Sequence, residues 1–435
     1  MTAALGKSII VSLAFIATIT HARVITLPPG VTQLTAEYLV AEGDTLRGSA
    51  SGSTLRASPR FKGRAMIVLA SGATVERLTL DGNRRHLAQP LPIAPYDRTF
   101  ASFYSNNGIL SIDTRNVAIR DVQINRIANF AILLAGVHTS AVERVTITNS
   151  GSLNEKGYNN TTGGILLEEG VTNFLVKQCR FRNVRGNAIW THSRGTSNRN
   201  ARGHITQNQF FNIGRDAIQV GHATEVRVDH NTGSHIGYPA NIVDMEGGGT
   251  PVAIDTAGNV DKSVYAQNRF QEINGKCIDL DGFHHGDITD NICRNRRDAT
   301  AYPYGHFGIV FNNTNPDMRS EDVRVTGNVI DGTKFGGIFV IGRRHTIQGN
   351  QLLRLNLAGC NESHQRFGCI YNATEPDILQ SGIYLGSKAE RPDLSTENKI
   401  VSNTISGFKM AERCIAAAPA VDRGSNTIEE NQCRN

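Results

Sequence analysis

Asp279 and Asp281 flank Leu280, so an extended backbone would put both carboxylates on one face, because side chains alternate along a strand. Asp255 follows Ile254 as Asp279 follows Ile278. If those isoleucines are equivalent positions of a repeat, all three carboxylates belong to one cluster. Crowded carboxylates repel, and the repulsion is relieved by protonation, a basic neighbour or a cation. Protonation gives a general acid beside a second carboxylate that can act as base or nucleophile. A cation gives a Ca²⁺ site built from Asp255, Asp279 and Asp281, since Ca²⁺ takes several oxygen ligands. The plain alternative is a solvated acidic face.

The same frame, one and three residues beyond each isoleucine, reads out Glu168, Trp190 with His192, Gln219 and Asn312, then Phe339 and Tyr384. A histidine can act as a base near neutral pH, so His192 joins the three aspartates as a candidate base. Trp190, the one tryptophan of the chain, offers a flat face to a ligand or packs beneath a loop. Arg215 and Lys276 stand at strand starts, with His284, His285 and His306 on nearby loops. The candidate catalytic set is therefore Asp255, Asp279, Asp281 and His192. The candidate binding set is Trp190, Glu168, Gln219, Arg215, Lys276, His284, His306 and Asn312. No His or Cys spacing matches a metal-binding motif.

What must position these residues is a repeat. An apolar residue, two further residues and an asparagine recur at Ile205–Asn208, Val228–Asn231, Val325–Asn328 and Ile347–Asn350, with Asn268, Asn291, Asn403 and Asn431 in the same place. A unit of about 22 residues, sometimes enlarged by an insertion, accounts for the gaps. Each unit also carries a small residue followed by isoleucine, as at Ala188-Ile189, Ala217-Ile218, Ala253-Ile254, Cys277-Ile278 and Gly308-Ile309. Short alternating segments between Gly, Asn and Asp turns are strands. A coil this small cannot bury its apolar face alone, so coils must stack. Repeated asparagines at one turn imply a ladder of side-chain amides. Val122, Val145 and Cys179 fall in the same place upstream, which puts Cys179 inside the stack. Extra residues cluster just before and just after the small-Ile strand, as loops walling one sheet.

The repeat, together with Gly43-Asp-Thr-Leu-Arg-Gly48 and Thr54-Leu55, resembles the pectin-lyase-like superfamily of right-handed parallel β-helix proteins over residues 35 to 435. The expected architecture is all-β: a single right-handed parallel β-helix of roughly a dozen coils, with loop insertions flanking one sheet. The resemblance implies a saccharide-related role. The Asn-Thr-Asp, Asp-Asp, Gly-His-Gly and Arg-Ile-Lys set of polygalacturonase-type relatives is missing; the nearest stretches are Asp279-Leu-Asp281 and Gly305-His306-Phe307. Three functions compete. The favoured one is a polysaccharide lyase or C5-epimerase acting on a uronic-acid polymer. The others are a glycoside hydrolase using the Asp cluster, and a non-catalytic glycan-binding or cell-surface protein.

The formal net charge of +6 suits an acidic polysaccharide and is the reason for favouring a uronate substrate. Basic residues are scattered with no lysine-rich run, so nucleic acid is not an expected partner. Lys7, the apolar run from Ser8 to Ile19 and the small residues near Ala22 read as a signal peptide over 1–22, with the helix domain over 23–435. The expected location is secreted or periplasmic. The run is too short to span a membrane, and no other stretch is long enough. Among 7 cysteines, Cys360 and Cys369 are a plausible disulfide. Cys277 with Cys293 and Cys414 with Cys433 remain open, because Cys293 should face inward while Cys277 lies at a strand start. No coiled coil or interface signature appears, so a monomer is expected, with no cofactor other than the possible Ca²⁺.

Overall fold

The computed structural model describes residues 22–95, 98–245, 249–361, 368–369, 375 and 377–435. All but the last residue of the expected leader lies outside them. Among the described residues no helix is long and apolar enough to cross a membrane.

The chain is a parallel β-helix in which each coil contributes up to three strands. A first and a second column join in one 26-stranded sheet, and a third column forms a 14-stranded sheet. Among the described residues the third column has fourteen strands, from Gly30–Leu34 to Gln432–Arg434, in keeping with the dozen or so coils expected. In the first column Ile132, Ile165, Ile189, Ile218, Ile254, Ile278, Ile309, Ile338 and Ile383 stack in register. All are buried, so the residues one and three beyond them project outward.

At the turn into the third column, Asn208, Asn231, Asn268, Asn291, Asn328, Asn350, Asn403 and Asn431 form the expected ladder. Each amide nitrogen donates to the next amide oxygen, for example Asn268 Nδ2 to Asn291 Oδ1 at 2.9 Å and Asn291 Nδ2 to Asn328 Oδ1 at 3.0 Å. Each oxygen also accepts a backbone N–H, and each nitrogen gives its second proton to a buried carbonyl, such as Asn291 Nδ2 to Tyr265 O at 2.8 Å. Cys179 continues the ladder upstream: its N–H donates to Asn208 Oδ1 at 2.9 Å, and its thiol is buried and free. Val145 and Val122 extend the same interior row with apolar side chains.

The inward row of the third column stacks Phe181, Phe210, Gly233, Phe270 and Cys293. Gly233 is required here, because a β-carbon on it would lie 2.6 Å from the Phe270 ring. Cys293 faces inward as its register demands, yet it bonds Cys277 with the α-carbons 6.0 Å apart. The bond spans the corner between the third column and the start of the preceding first-column strand, Lys276–His284. Cys360–Cys369 and Cys414–Cys433 are also formed.

Candidate functional site

The first-column strands Ile218–Asp229, Val252–Asp261, Lys276–His284 and Ile309–Asn312 make the floor. Gln219 stands beside Asp255, and Ala257, Asp281 and Asn312 stand in line across successive coils. The loops of extra residues lie where the spacing placed them. One wall is stitched by Tyr238 Oη donating to Ala301 O at 2.6 Å and Lys334 Nζ donating to Pro303 O at 3.0 Å. On the other side Asn313 and Arg391 exchange two hydrogen bonds, at 2.9 and 3.1 Å.

Four aspartates and one lysine meet on this floor. Lys276 Nζ bonds Asp279 Oδ2, while Asp279 Oδ1 is buried without a hydrogen-bond partner. Asn187 Nδ2 donates to Gln219 Oε1 at 2.7 Å, and Gln219 Nε2 donates to Asp255 Oδ2 at 2.6 Å. Asp281 Oδ1 accepts the Thr314 N–H at 2.8 Å, which ties it to the loop after Asn312. Asp216, just before the floor strand, accepts the Val252 N–H at 2.8 Å and lies beside Arg215. Asp255 and Asp279 keep 8% and 6% of their surface, enough for an edge to meet solvent.

Burial, followed by the charges of Asp216, Asp279 and Asp281, drives Asp255 well above the usual carboxylate range, against the pull of Lys276. Burial and Asp279 raise Asp281 to about 6. Burial also lifts Asp216 to about 6, with Arg215 opposing. Burial would deprotonate Lys276, but Asp279, Asp255 and Asp281 outweigh it and keep the ammonium. On this floor burial and like charge favour the protonated form of Asp255, beside the Lys276 ammonium and further carboxyls.

A Ca²⁺ ion fits this donor set poorly. Lys276 already supplies the compensating charge. Among the described residues, the acidic and histidine groups whose ligand atoms lie within 4.8 Å of one another are Glu168–Glu169–His192 and His285–Glu321–Asp322, and Asp255, Asp279 and Asp281 are not such a group.

Several expected site residues lie elsewhere. Trp190 and Glu168 project outward from their strands, but the insertion between Asp81 and Asn107 covers them. Its one-turn helix Phe100–Phe103 sets Phe100 edge-on to Trp190 at 4.8 Å and to His192 at 4.9 Å. Trp190 is only 6% exposed and joins a satellite apolar cluster with Leu133, Leu166 and Phe130, so it presents no open face to a ligand. Glu168 is fully buried and accepts the Phe100 and Ala101 N–H groups at 2.9 and 2.6 Å. It anchors the insertion. His192 lies under the same cover, and burial lowers it to about 4. His306 packs on Phe307 and Phe335; burial, with Lys276 and Lys334 nearby, lowers it to about 3 and keeps it neutral. His284 interacts with Gly282 O, Asp261, His285 and Arg199, none of them in the acidic cluster.

One residue of the site, Asp216, and one residue of a neighbouring bulge, His222, escaped the sequence frame. Asp216 precedes the first buried isoleucine of its strand, outside the alternating stretch. His222 sits at a bulge between Gly221 and Ala223 that breaks the alternation. Its ring lies against Gly258, where a β-carbon would approach Nε2 to 2.6 Å. His222 also feels the charges of Asp317, Arg199 and Glu169. Nothing in periodicity signals the bulge.

The Glu168 anchor has a measurable consequence. Glu168→Ala strands two buried N–H groups, at about 1–3 kcal/mol each, and should release the insertion from Trp190. Intrinsic fluorescence then moves to longer wavelength and acrylamide quenching rises severalfold; unchanged quenching would contradict the anchoring role. Burial raises Glu168 from 4.5 to about 7, so between those values the folded chain holds a proton that the unfolded chain has lost. Its contribution to stability therefore falls as pH rises through that window.

No protein-family model matches the chain, and no curated protein sequence does. Solved structures share its fold. PfbA, a surface adhesin of Streptococcus pneumoniae, aligns with a TM-score of 0.54 at 14% identity, over 77% of this chain and 84% of its own. A hyperthermoactive exopolygalacturonase from Thermotoga maritima aligns at 0.53 and 12% identity, over 77% and 84%. A mannuronic acid specific polysaccharide family 6 lyase from human gut microbiota aligns at 0.50 and 13% identity, over 91% and 77%. The chain shares the parallel β-helix fold of these structures. An adhesin, a hydrolase and a lyase share that fold, so it does not choose among them.

Proposed function

We propose that this parallel β-helix protein is a polysaccharide-acting glycoside hydrolase, with Asp255 as general acid and Asp281 as general base. The observation that carries the reading is the placement of Asp255 and Asp281 on adjacent coils of one walled floor, where burial and like charge push Asp255 well above the carboxylate range and Asp281 to about 6. Coil spacing and a two-residue step along the strand put the two about 8 Å apart at the backbone. That separation leaves room for a water between sugar and base, the arrangement of inverting hydrolysis. Asp255 would protonate the leaving oxygen while Asp281 takes a proton from the attacking water on the opposite face of the sugar. Gln219, held by Asn187, orients Asp255. Lys276 bonds Asp279, and the charge of Asp279 helps to raise Asp255 and Asp281. The three disulfides suit an oxidising, extracellular compartment.

The uronate lyase or C5-epimerase favoured from net charge keeps one supporting observation, a lysine on the floor. Its chemistry must neutralise a substrate carboxylate and then remove the C5 proton. Here the lysine is committed to Asp279, and four aspartates surround the place where that carboxylate would sit. A screen of the mature protein against neutral and uronic-acid polysaccharides, with and without Ca²⁺, decides between them. New reducing ends without absorbance near 235 nm are the expected outcome. Unsaturated ends absorbing there would establish the lyase instead, and silence in both assays would remove the enzymatic reading.

A further inference from the structure

The third column carries a second feature that the proposed chemistry leaves unused. On its outer face a groove of about 580 Å³ is lined by Arg180, Arg182, Phe211, Arg269 and Arg294, with Gln209 and Gln271 among them. It continues into a trough of about 570 Å³ that shares Arg180 and Gln209 and reaches Gln123. The outward row Gln123, Thr146, Arg180, Gln209, Thr232 and Arg269 stacks in unbroken register. Successive rungs are about 4.8 Å apart, so the row to Ile292 runs about 30 Å along the axis.

The charge of this row is unmatched. Several exposed arginines elsewhere pair across coils, as Arg120 does with Glu143, Arg144 with Asp121, and Arg324 with Asp287. Among the described residues Arg180, Arg182 and Arg269 make no ion pair. Arg294 lies 3.9 Å from Asp331, which Arg354 already holds at 2.6 Å. Arg182 sits 5.2 Å over the Phe211 ring, which is 42% exposed. Arginines that neutralise nothing within the chain, separated by amides and hydroxyls and placed beside one exposed ring, form a surface for a polymer with regularly spaced anions.

We infer that this groove is a second, non-catalytic binding track for an anionic polysaccharide, on a different column from the carboxylate site. The rung spacing is close to the length of one hexopyranose residue, so a chain lying along the axis can meet a fresh arginine, glutamine or threonine at each sugar. Carboxylate or sulfate groups would take the arginines in bidentate fashion, ring hydroxyls the amides, and a C–H face the Phe211 ring. Single-stranded nucleic acid is the poorer occupant: it calls for several stacking rings, and the groove offers one and no lysine.

The test uses the full chain carrying Asp255→Asn, so that turnover cannot consume the probe. Affinity electrophoresis and calorimetry are run with alginate, polygalacturonate, heparin, dextran and single-stranded DNA, at 50 and 200 mM NaCl. At least one anionic polysaccharide should bind with an affinity that falls steeply with salt, while dextran stays unbound. The triple variant Arg180→Gln, Arg182→Gln, Arg269→Gln should weaken that binding at least tenfold with an unchanged circular dichroism spectrum and melting temperature, because these side chains are exposed. Binding of a uronate polymer alone, or of heparin as well, tells carboxylate from sulfate recognition and supports the track in either case. Equal binding by the triple variant, no binding by any anionic polysaccharide, or tighter binding of DNA would overturn it. None of these results depends on whether the chain cleaves glycans.

Discussion

Asp255→Asn should reduce glycoside cleavage by about 10³-fold while leaving substrate affinity within a few-fold, because positioned proton transfer contributes roughly 10²–10⁴. A structural role for Asp255 would lower all substrates alike. A general acid fails selectively: the variant should lose most on sugars with poor leaving groups and little on activated aryl glycosides, which depart without protonation. The wild-type profile follows from the same floor. Asp281, raised to about 6, must be ionised to act as base, so kcat/KM should fall about tenfold per pH unit below that value. Asp281→Asn should abolish this acid limb along with most of the activity. The alkaline limb belongs to Asp255, whose proton is held well above the ordinary carboxylate range. An Asp255→Asn variant equally slow on activated and unactivated substrates would remove its assignment as the acid.

The second large effect concerns the fold. Asn291→Ala deletes the acceptor of the Asn268 N–H and Asn268 Nδ2 and the donor to Tyr265 O. All of these lie in the buried turn. Leaving a buried polar group unpaired costs about 1–3 kcal/mol, so the variant should be less stable by roughly 4 kcal/mol. Urea unfolding followed by circular dichroism measures this, and a loss below about 1 kcal/mol would mean that the ladder ornaments the turn without holding it. Coils touch only their neighbours, so hydrogen exchange should show the opening centred on the Asn268 and Asn328 amides.

The ladder and the outward frame were legible in the sequence because both are periodic. An asparagine in every coil can bond its counterpart in the next, and an isoleucine that starts each strand fixes which later residues face out. That reasoning placed Asp255, Asp279, Asp281, Gln219 and Asn312 on one floor. It failed where periodicity stops. The insertion over Trp190 and Glu168 has no repeat, so nothing in the spacing revealed that the outward face of those two coils is covered. Asp216 lies before its strand and His222 on a bulge, so neither entered the frame. Cys277 and Cys293 seemed to point in incompatible directions because the corner between columns, which brings them together, leaves no mark in the alternation. The net positive charge could not say where a partner binds. It is an average over the chain, whereas the first column is acidic and the unpaired arginines stand on the third.

The uniform rungs of the ladder carry an ambiguity. Asn231 could bond Asn291 as well as Asn268, so while the chain folds nothing in the amides themselves forbids a coil from being skipped and looped out. Coil order must be read from features that occur once. Gly233 is such a feature, since only a side chain reduced to hydrogen admits the Phe270 ring on one side with Phe210 on the other. The Cys277–Cys293 bond is another, as it ties the third column to the start of the preceding first-column strand. A bulkier residue at position 233 should therefore harm the fidelity of assembly more than the persistence of the finished stack, trapping chains in shortened, mis-threaded solenoids as they refold.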